Sequence, residues 1–394
     1  MNCAEKSQLS SSSQKVQVQS WQTKNKGIEV DLVSKVTHTL DRITLPWMWL
    51  RDHCRCSACL TSTAQRECDV FIGWEKFRWE EVLVDTDIAG LIIQWQDNHR
   101  SYFSYDWLWG ILHIENSVAV DPRKYWSDDL PSLDYRNVLG TDIGLRQLVE
   151  HIAQVGVCKV TGAKPSKAEA AQLIQRIAYL RQSHFGNLVE INPSSNSGYD
   201  ETHLHTDGAF NYDPPGIKLV QCLDKNTSPC EMIFVDALAL VDKMKSEAPQ
   251  TLSLLQNNPV SYQYLRHDIN LITSDPIVTL DSYDRLKRIR YNRKAQLPFS
   301  EQDLPKKQAF TTAFKQFESW VEEKSQQRKI CLNPGEMVLW NNWRILHGGS
   351  AMNGNHHLAM CMANMEDFHS RLRIIQNKSD QRPVPQAREK KGGC

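Results

Sequence analysis

Two groups of residues in this sequence have the types and spacing of metal ligands. The first is the pair His205 and Asp207 in "HLHTDGAF" (His203–Phe210). In an extended segment, residues two apart point to the same side, so the imidazole and the carboxylate can hold one ion together. A facial triad needs a second imidazole from a distant strand. His347 in "NWRILHGG" (Asn342–Gly349) supplies it, with Gly348 and Gly349 relieving crowding. Two His and one carboxylate leave metal positions open for oxygen and a cosubstrate, which is the arrangement of non-haem Fe(II) oxygenases. An H-x-D pair alone is a weak signal in a chain with 13 histidines, and a satisfied surface histidine is the bland alternative. Context raises it: a turn and strand, "DPPGIKLVQC", follow Asp207, and another, "NPGEMVLWNN", precede His347. His203 competes as first ligand, but its mate would be His205 and no carboxylate would be correctly placed.

The second group is "HCRCSAC", which puts Cys54, Cys56 and Cys59 within six residues. Two such thiolates easily reach one tetrahedral ion. The fourth ligand must come from elsewhere, and His99, at the start of a strand in the same small domain, is the best candidate. Four protein ligands close the shell, so this zinc would be structural. The alternative is three unrelated cysteines in a loop. Eleven cysteines, an odd number, do not suit a secreted disulfide scaffold. A reducing compartment fits better, so the expected location is cytoplasmic, with a mitochondrial one as the alternative for the N-terminus rich in Ser, Gln and Lys.

The elements that must position these ligands fall into two segments. The chain has 394 residues, which suits one large catalytic domain and a smaller one. The expected division is a disordered tail over 1–26, a zinc-binding domain over 27–127, an iron domain over 135–376 and a second disordered tail over 377–394. "DDLPSLDY" (Asp128–Tyr135) reads as the linker. In the first segment "GLIIQW" is a strand and "HRSYFSYDWL" a strand leading into a turn or helix. In the second, helices are expected near 142–154 and after Ser166, where Ser166 and Glu169 form a capping box ahead of Ala170, Leu173, Ile174 and Ile177. Strand candidates follow at Ile217–Leu223, Glu231–Ala237, Arg288–Asn292, Gly335–Asn342 and His357–Asn364. A further helix carries Phe310, Phe314, Phe317 and Trp320 on one face. Helices first and short strands after predict an α+β, mainly β fold: a two-sheet barrel with helices packed outside it. Lys+Arg and Asp+Glu both number 46. That balance favours neither nucleic acid nor an anionic membrane as partner, and no apolar run approaches the length of a membrane helix.

At this point the residues resemble a known family. "PWMWLRDHCRCSAC" is similar to the zinc motif of the γ-butyrobetaine and trimethyllysine dioxygenases, and "NHRSYFSYDWL" to the segment that gives the fourth zinc ligand, here His99. "HTDGAFNYDPPGIKLVQCL" and "NPGEMVLWNNWRILHGGSAM" resemble the two iron motifs. The similarity runs from about residue 28 to 376. It implies a double-stranded β-helix, or jelly roll, with flanking helices, and with it Fe(II), Zn(II), 2-oxoglutarate and O₂, hydroxylation of a trimethylammonium substrate, and a homodimer. The departures are as informative. His356, in "HHLAMCM", stands where the family has the Arg that anchors the far carboxylate of 2-oxoglutarate, and Met232 stands at a hydroxyl position. Imidazole offers fewer donors than a guanidinium and a charge that depends on pH. Lys218, if it points inward, is the other cation for that carboxylate; a solvated strand-face lysine is the alternative. Phe185, Val189, Gly208 and Met362 replace family aromatics of the ammonium cage, while Tyr199, Phe210 and Tyr212 remain. Phe185, Tyr199, Phe210 and Asn292 are the candidate substrate residues.

The resulting expectation is an Fe(II) dioxygenase that hydroxylates or oxidises a C–H bond of a small molecule, such as a γ-butyrobetaine-like or trimethyllysine-like quaternary ammonium compound. The rivals are an iron oxygenase with another cosubstrate and a non-betaine substrate, and a catalytically silent metal-binding relative.

Overall fold

The sequence of the first segment alternates apolar and polar residues with the period of a half-buried strand, and strands form there. The computed structural model describes residues 15–35, 38–61, 65–66, 78, 81–112, 123–126, 129–191, 203–224, 230–298, 304–349 and 356–380. The chain divides into two compact units between Val120 and Asp121. In the first unit, β1 (Val16–Lys24), β2 (Gly27–Ser34) and β3 (Leu40–Pro46) form an antiparallel sheet, followed by the short helix α1 (Trp47–Asp52). A second antiparallel sheet is made by β4 (Leu83–Thr86), β5 (Gly90–Gln94) and β6 (Arg100–Ser104), and α2 (Tyr105–Leu112) follows. Ile28, Val30 and Leu32 all face inward from β2 and share a core with Leu91, Ile93 and Trp95. β1 lies inside the stretch expected to be a disordered tail. Its pairing with β2 supplies backbone partners that the local composition does not reveal.

The second unit runs β7 (Ser132–Asp134), α3 (Tyr135–Gly140), α4 (Asp142–Gln154), β8 (Val157–Thr161), α5 (Lys167–Ile177), β9 (Leu188–Ile191), β10 (Ile217–Asp224) and β11 (Cys230–Asp236). Then come α6 (Ala237–Glu247), α7 (Pro249–Asn257), β12 (Val260–Arg266), β13 (Ile269–Asp275), β14 (Val278–Leu280), β15 (Leu286–Ile289) and α8 (Leu304–Val321). The last elements are β16 (Gln327–Leu332), β17 (Met337–Asn341), β18 (Ile345–Gly348), β19 (His357–Ala363) and α9 (Met365–Asp380). Ser166 caps α5 by accepting a hydrogen bond from the Ala168 N–H, and the helix buries Ala170, Leu173, Ile174 and Ile177. The stretch read as a linker instead holds β7, parallel to β8, and the start of α3.

The main sheet has the order β7-β8-β17-β10-β19-β9, and a smaller one has the order β16-β11-β18. One face of the main sheet is covered by helices, with Leu148, Leu173, Ile174 and Phe368 against Leu219 and Leu339. The other face presents Val220, Val338, Leu358 and Met360 to Met232, Phe234 and Ile330 of the small sheet. Burial of such side chains contributes about 1.5–3 kcal/mol each. The expected double-stranded β-helix is not formed. Among the described residues no sheet closes into a barrel: the larger ends at β7 and β9, the smaller at β16 and β18, and other strands form separate hairpins. The fold is α+β with several small sheets. Strand alternation in a sequence marks which face is buried, but closure depends on long-range edge pairing that alternation does not encode.

Candidate metal centres

His205 sits in an extended segment that makes one isolated antiparallel bridge with His347 on β18. The His205 N–H donates to the His347 carbonyl at 3.0 Å and the His347 N–H to the His205 carbonyl at 2.9 Å. This reciprocal pair brings the two rings to 4.4 Å between centroids. Asp207, two residues on, turns its carboxylate to the same place. His205 Nε2 lies 3.7 Å from Asp207 Oδ1, and His347 Nε2 lies 3.3 Å from Asp207 Oδ2. One ligand atom from each residue lies within 4.8 Å of the others, and all three residues are buried. The sequence therefore named three residues that the tertiary structure brings together.

Other residues hold this geometry. Asn342, fully buried, accepts a hydrogen bond from the Asp207 N–H at 2.8 Å and donates to the carbonyls of Asp207 and Pro215. Thr206 ties the same segment to Tyr291. Gly208 has φ +63, and a Cβ there would lie 2.6 Å from Asn211 Nδ2, so the chain turns away from the triad as only glycine easily allows. Arg290 donates to the Ala209 and Asn211 carbonyls and fixes the turn that follows. Arg344 makes a bidentate pair with Asp236 at 2.8 and 2.6 Å, joining the start of β18 to the end of β11. Local sequence shows none of these partners, because each crosses many residues.

Lys218 is the largest departure from expectation. The alternative of a solvated strand-face lysine does not hold: its side chain is fully buried and its Nζ lies 2.6 Å from Asp207 Oδ2 and 3.3 Å from His347 Nε2. The signal was present, since "IKLV" sits in a nearly unbroken apolar run, the pattern of a strand buried on both faces. Burial alone would raise the Asp207 carboxyl, but the charges of Lys218 and His347 and hydrogen bonds from His205 and His347 hold it well below the usual carboxylate range. Burial pushes the His347 imidazole down to about 4, against the pull of Asp207 and with the help of Lys218. An ionised carboxylate beside a neutral imidazole is the donor set a divalent metal takes.

His356 is also buried, its Nδ1 without a hydrogen-bond partner, and burial pushes its imidazole down. It stays neutral near physiological pH.

A cavity of about 250 Å³ opens onto His205 and Asp207. Phe185, Phe210 and Asn292 line it, whereas Tyr199 lies outside the described residues. Reading the sequence missed Tyr264 and Arg266, because the β12–β13 hairpin that carries them was not anticipated. Tyr264 stacks on Phe210 with centroids 4.9 Å apart and meets Phe185 edge-on at 5.3 Å. The Arg266 guanidinium lies over both Phe185 and Tyr264. Arg181, Arg293 and Lys294 also line the cavity, and Asp207 is the one carboxylate among its described lining residues.

In the first unit, the ligand atoms of Cys54, Cys56, Cys59 and His99 lie within 4.8 Å of one another. His99 Nε2 is 3.2, 3.5 and 3.6 Å from the three sulfurs in that order. The β5–β6 turn places it: Trp95 N–H donates to the His99 carbonyl, Asn98 takes a left-handed φ of +65, and Asp97 accepts from the His99 N–H. Burial would raise the Cys56 thiol, but hydrogen bonds from the Ala58 backbone and from Cys54 and Cys59 outweigh it and lower it. Burial and the nearby Arg51 hold His99 low, which favours the neutral imidazole, the form that can bind a metal.

Residues 120–362 match the model of the taurine catabolism dioxygenase TauD, TfdA family, and residues 7–109 match that of the γ-butyrobetaine hydroxylase-like N-terminal region. The γ-butyrobetaine dioxygenase of Homo sapiens is 26% identical over 361 residues, covering 84% of this chain and 91% of its own. The mitochondrial trimethyllysine dioxygenase of Mus musculus is 24% identical over 352 residues, covering 84% and 82%. A taurine dioxygenase structure from Burkholderia xenovorans overlaps 62% of this chain and 84% of its own, with a TM-score of 0.44 and 11% identity. Among the described residues, no helix is long and apolar enough to cross a membrane. The protein is an Fe(II)-dependent dioxygenase, and its chain belongs to the taurine catabolism dioxygenase TauD, TfdA family as a divergent member.

Proposed function

We propose that iron held by His205, Asp207 and His347 oxidises a C–H bond of a small organic acid or zwitterion with an apolar or aromatic body. The observation that carries this reading is the convergence of the three donor atoms within 4.8 Å, with His205 and Asp207 lining the cavity. Bound there, iron would supply oxygen activation. The chain supplies the rest. Asn342 holds the Asp207 backbone and Thr206 ties that segment to Tyr291, the His205–His347 bridge positions the two histidines, and the apolar sheet interior keeps water from the buried side.

The lining supports an anionic group on the substrate. Four cationic side chains surround the cavity, and the aromatic faces of Phe185 and Tyr264 already hold the Arg266 guanidinium. A trimethylammonium group would have to displace that cation to reach those faces. Phe185, Phe210 and Asn292 are assigned to the substrate side. The far carboxylate of 2-oxoglutarate finds no cation at His356, so a mono-acid suits this interior better as cosubstrate. Cys54, Cys56, Cys59 and His99 are assigned to a structural zinc, since four protein ligands leave no open position.

The test is oxygen incorporation, followed by mass spectrometry, with Fe(II), O₂ and a panel of carboxylates, sulfonates and trimethylammonium compounds of matched size. Turnover should favour the anions and weaken in Arg266→Gln. Turnover of trimethylammonium compounds without an acid group, untouched by that substitution, would reject the substrate class.

A further inference from the structure

Arg266 is the last residue of β12 and pairs with Ile269, the first of β13, across a two-residue turn. The base of this hairpin is fixed. The Tyr262 hydroxyl donates to the Arg290 carbonyl at 2.9 Å, and the Leu297 N–H donates to the Ser261 carbonyl at 2.8 Å. Its far end, with Leu265 and Arg266, is exposed. The Arg266 guanidinium lies 5.9 Å from the centre of the Phe185 ring and 5.6 Å from that of Tyr264. These two rings stand at 66° to each other, and Phe210 stacks on Tyr264. Ring faces turned to one cation are what an ammonium site requires. Here the cation is the chain's own. Phe185, Phe210, Tyr264 and Arg266 line the cavity that also holds His205 and Asp207. No carboxylate among the described residues pairs with Arg266. Asp207, the one acid of the described lining, already faces Lys218, His205 and His347. A guanidinium forks onto a carboxylate more strongly than it rests on a ring, and its long stem lets it swing while the hairpin base stays in place.

We propose that Arg266 selects the substrate by occupying the aromatic site until an anion draws it off. At rest its guanidinium covers the faces of Phe185 and Tyr264, which shuts out neutral apolar molecules and repels cations. The acid group of an incoming molecule pairs with the guanidinium, and the ring faces it leaves take up the apolar body. Charge and apolar body are recognised together, and a molecule with only one of them meets a filled site. The repulsion of cations is as much a part of the selection as the attraction of the acid. The inference rests on the reading of this cavity as the substrate site.

The experiment is isothermal titration calorimetry of the protein as purified with phenylacetate, benzyl alcohol, acetate and tetramethylammonium chloride. Wild type should bind phenylacetate about tenfold or more tightly than any of the others. Arg266→Met should weaken phenylacetate by about tenfold and tighten tetramethylammonium and benzyl alcohol by about fivefold, because the ring faces are then open. Arg266→Gln, which keeps hydrogen-bond donors without the charge, should shift the same way and covers the case in which the methionine itself fills the aromatic site. Adding Tyr264→Leu to Arg266→Gln should abolish the gained tetramethylammonium binding, which assigns that gain to the rings. Uniform weakening of all four probes in the Arg266 variants would show a merely structural role and overturn the proposal. Tetramethylammonium affinity that ignores Arg266 would overturn it as well. Selection among the probes is read without turnover. Probe selection that shifts as expected, in a protein that oxidises no anion of the panel, would reject the proposed reaction and leave the role of Arg266 standing.

Discussion

Replacement of Asn342 by alanine tests the idea that the metal ligands are held by buried amide chemistry and not by strand pairing alone. Asn342 is fully buried and serves three backbone groups: the Asp207 N–H at 2.8 Å, the Asp207 carbonyl at 3.1 Å and the Pro215 carbonyl at 2.9 Å. Truncation to alanine strands one N–H and two carbonyls where water does not reach. A stranded buried polar group costs about 1–3 kcal/mol, and carbonyls sit at the lower end. The sum is a loss of about 3–5 kcal/mol in unfolding free energy. The loosened Asp207 should also weaken Mn(II) binding by about 10- to 100-fold, as for other groups that orient metal ligands. Urea unfolding and Mn(II) titration read the two effects. Asn341→Ala is the control, because the Asn341 side chain accepts a local hydrogen bond from the Trp343 N–H and not one from a metal ligand. An Asn342→Ala protein within about 1 kcal/mol of wild type, with metal affinity unchanged, would refute the reasoning.

Asp207→Ala should abolish oxidation and cost about 3–5 kcal/mol, because it leaves Lys218 buried without its carboxylate. Adding Lys218→Met should restore much of the stability but none of the activity, as thermal unfolding and turnover assays would show. Metal analysis should find one tightly bound zinc per chain, and Cys59→Ser should release it and destabilise the first unit without altering Mn(II) stoichiometry at the triad. The His347 imidazole lies near 4 in the folded protein and near 6.5 unfolded, so the unfolded chain takes up the proton first as pH falls. Its contribution is complete above about 6.5 and is lost toward 4, about 3 kcal/mol in all. Urea unfolding of metal-free protein across this range should show that loss, and an equally steep loss in His347→Gln would assign it elsewhere.

The ligands were legible in the sequence because their chemistry is local. His-x-Asp alternates onto one side of an extended segment, three cysteines within six residues crowd one ion, and Gly349, at φ +113, marks a tight passage after His347. The helical periodicity of α5 and the aromatic face of α8 were equally local, and both formed. What failed was whatever depends on distant partners. Val16–Lys24 has the composition of a tail and becomes a strand because β2 offers it a ladder. The expected jelly roll did not close, since edge pairing between β9, β16 and β18 is not written in any strand's own alternation. The hairpin bearing Tyr264 and Arg266 went unread, so the reading held Phe185 and Phe210 but neither the tyrosine that meets both nor the arginine that lies over Phe185 and Tyr264. The sequence by itself determined which atoms could bind metal. Tertiary structure alone decided that Lys218, a residue of ambiguous direction on a strand, reaches the same carboxylate, because a side chain's surroundings are set by the elements packed against it.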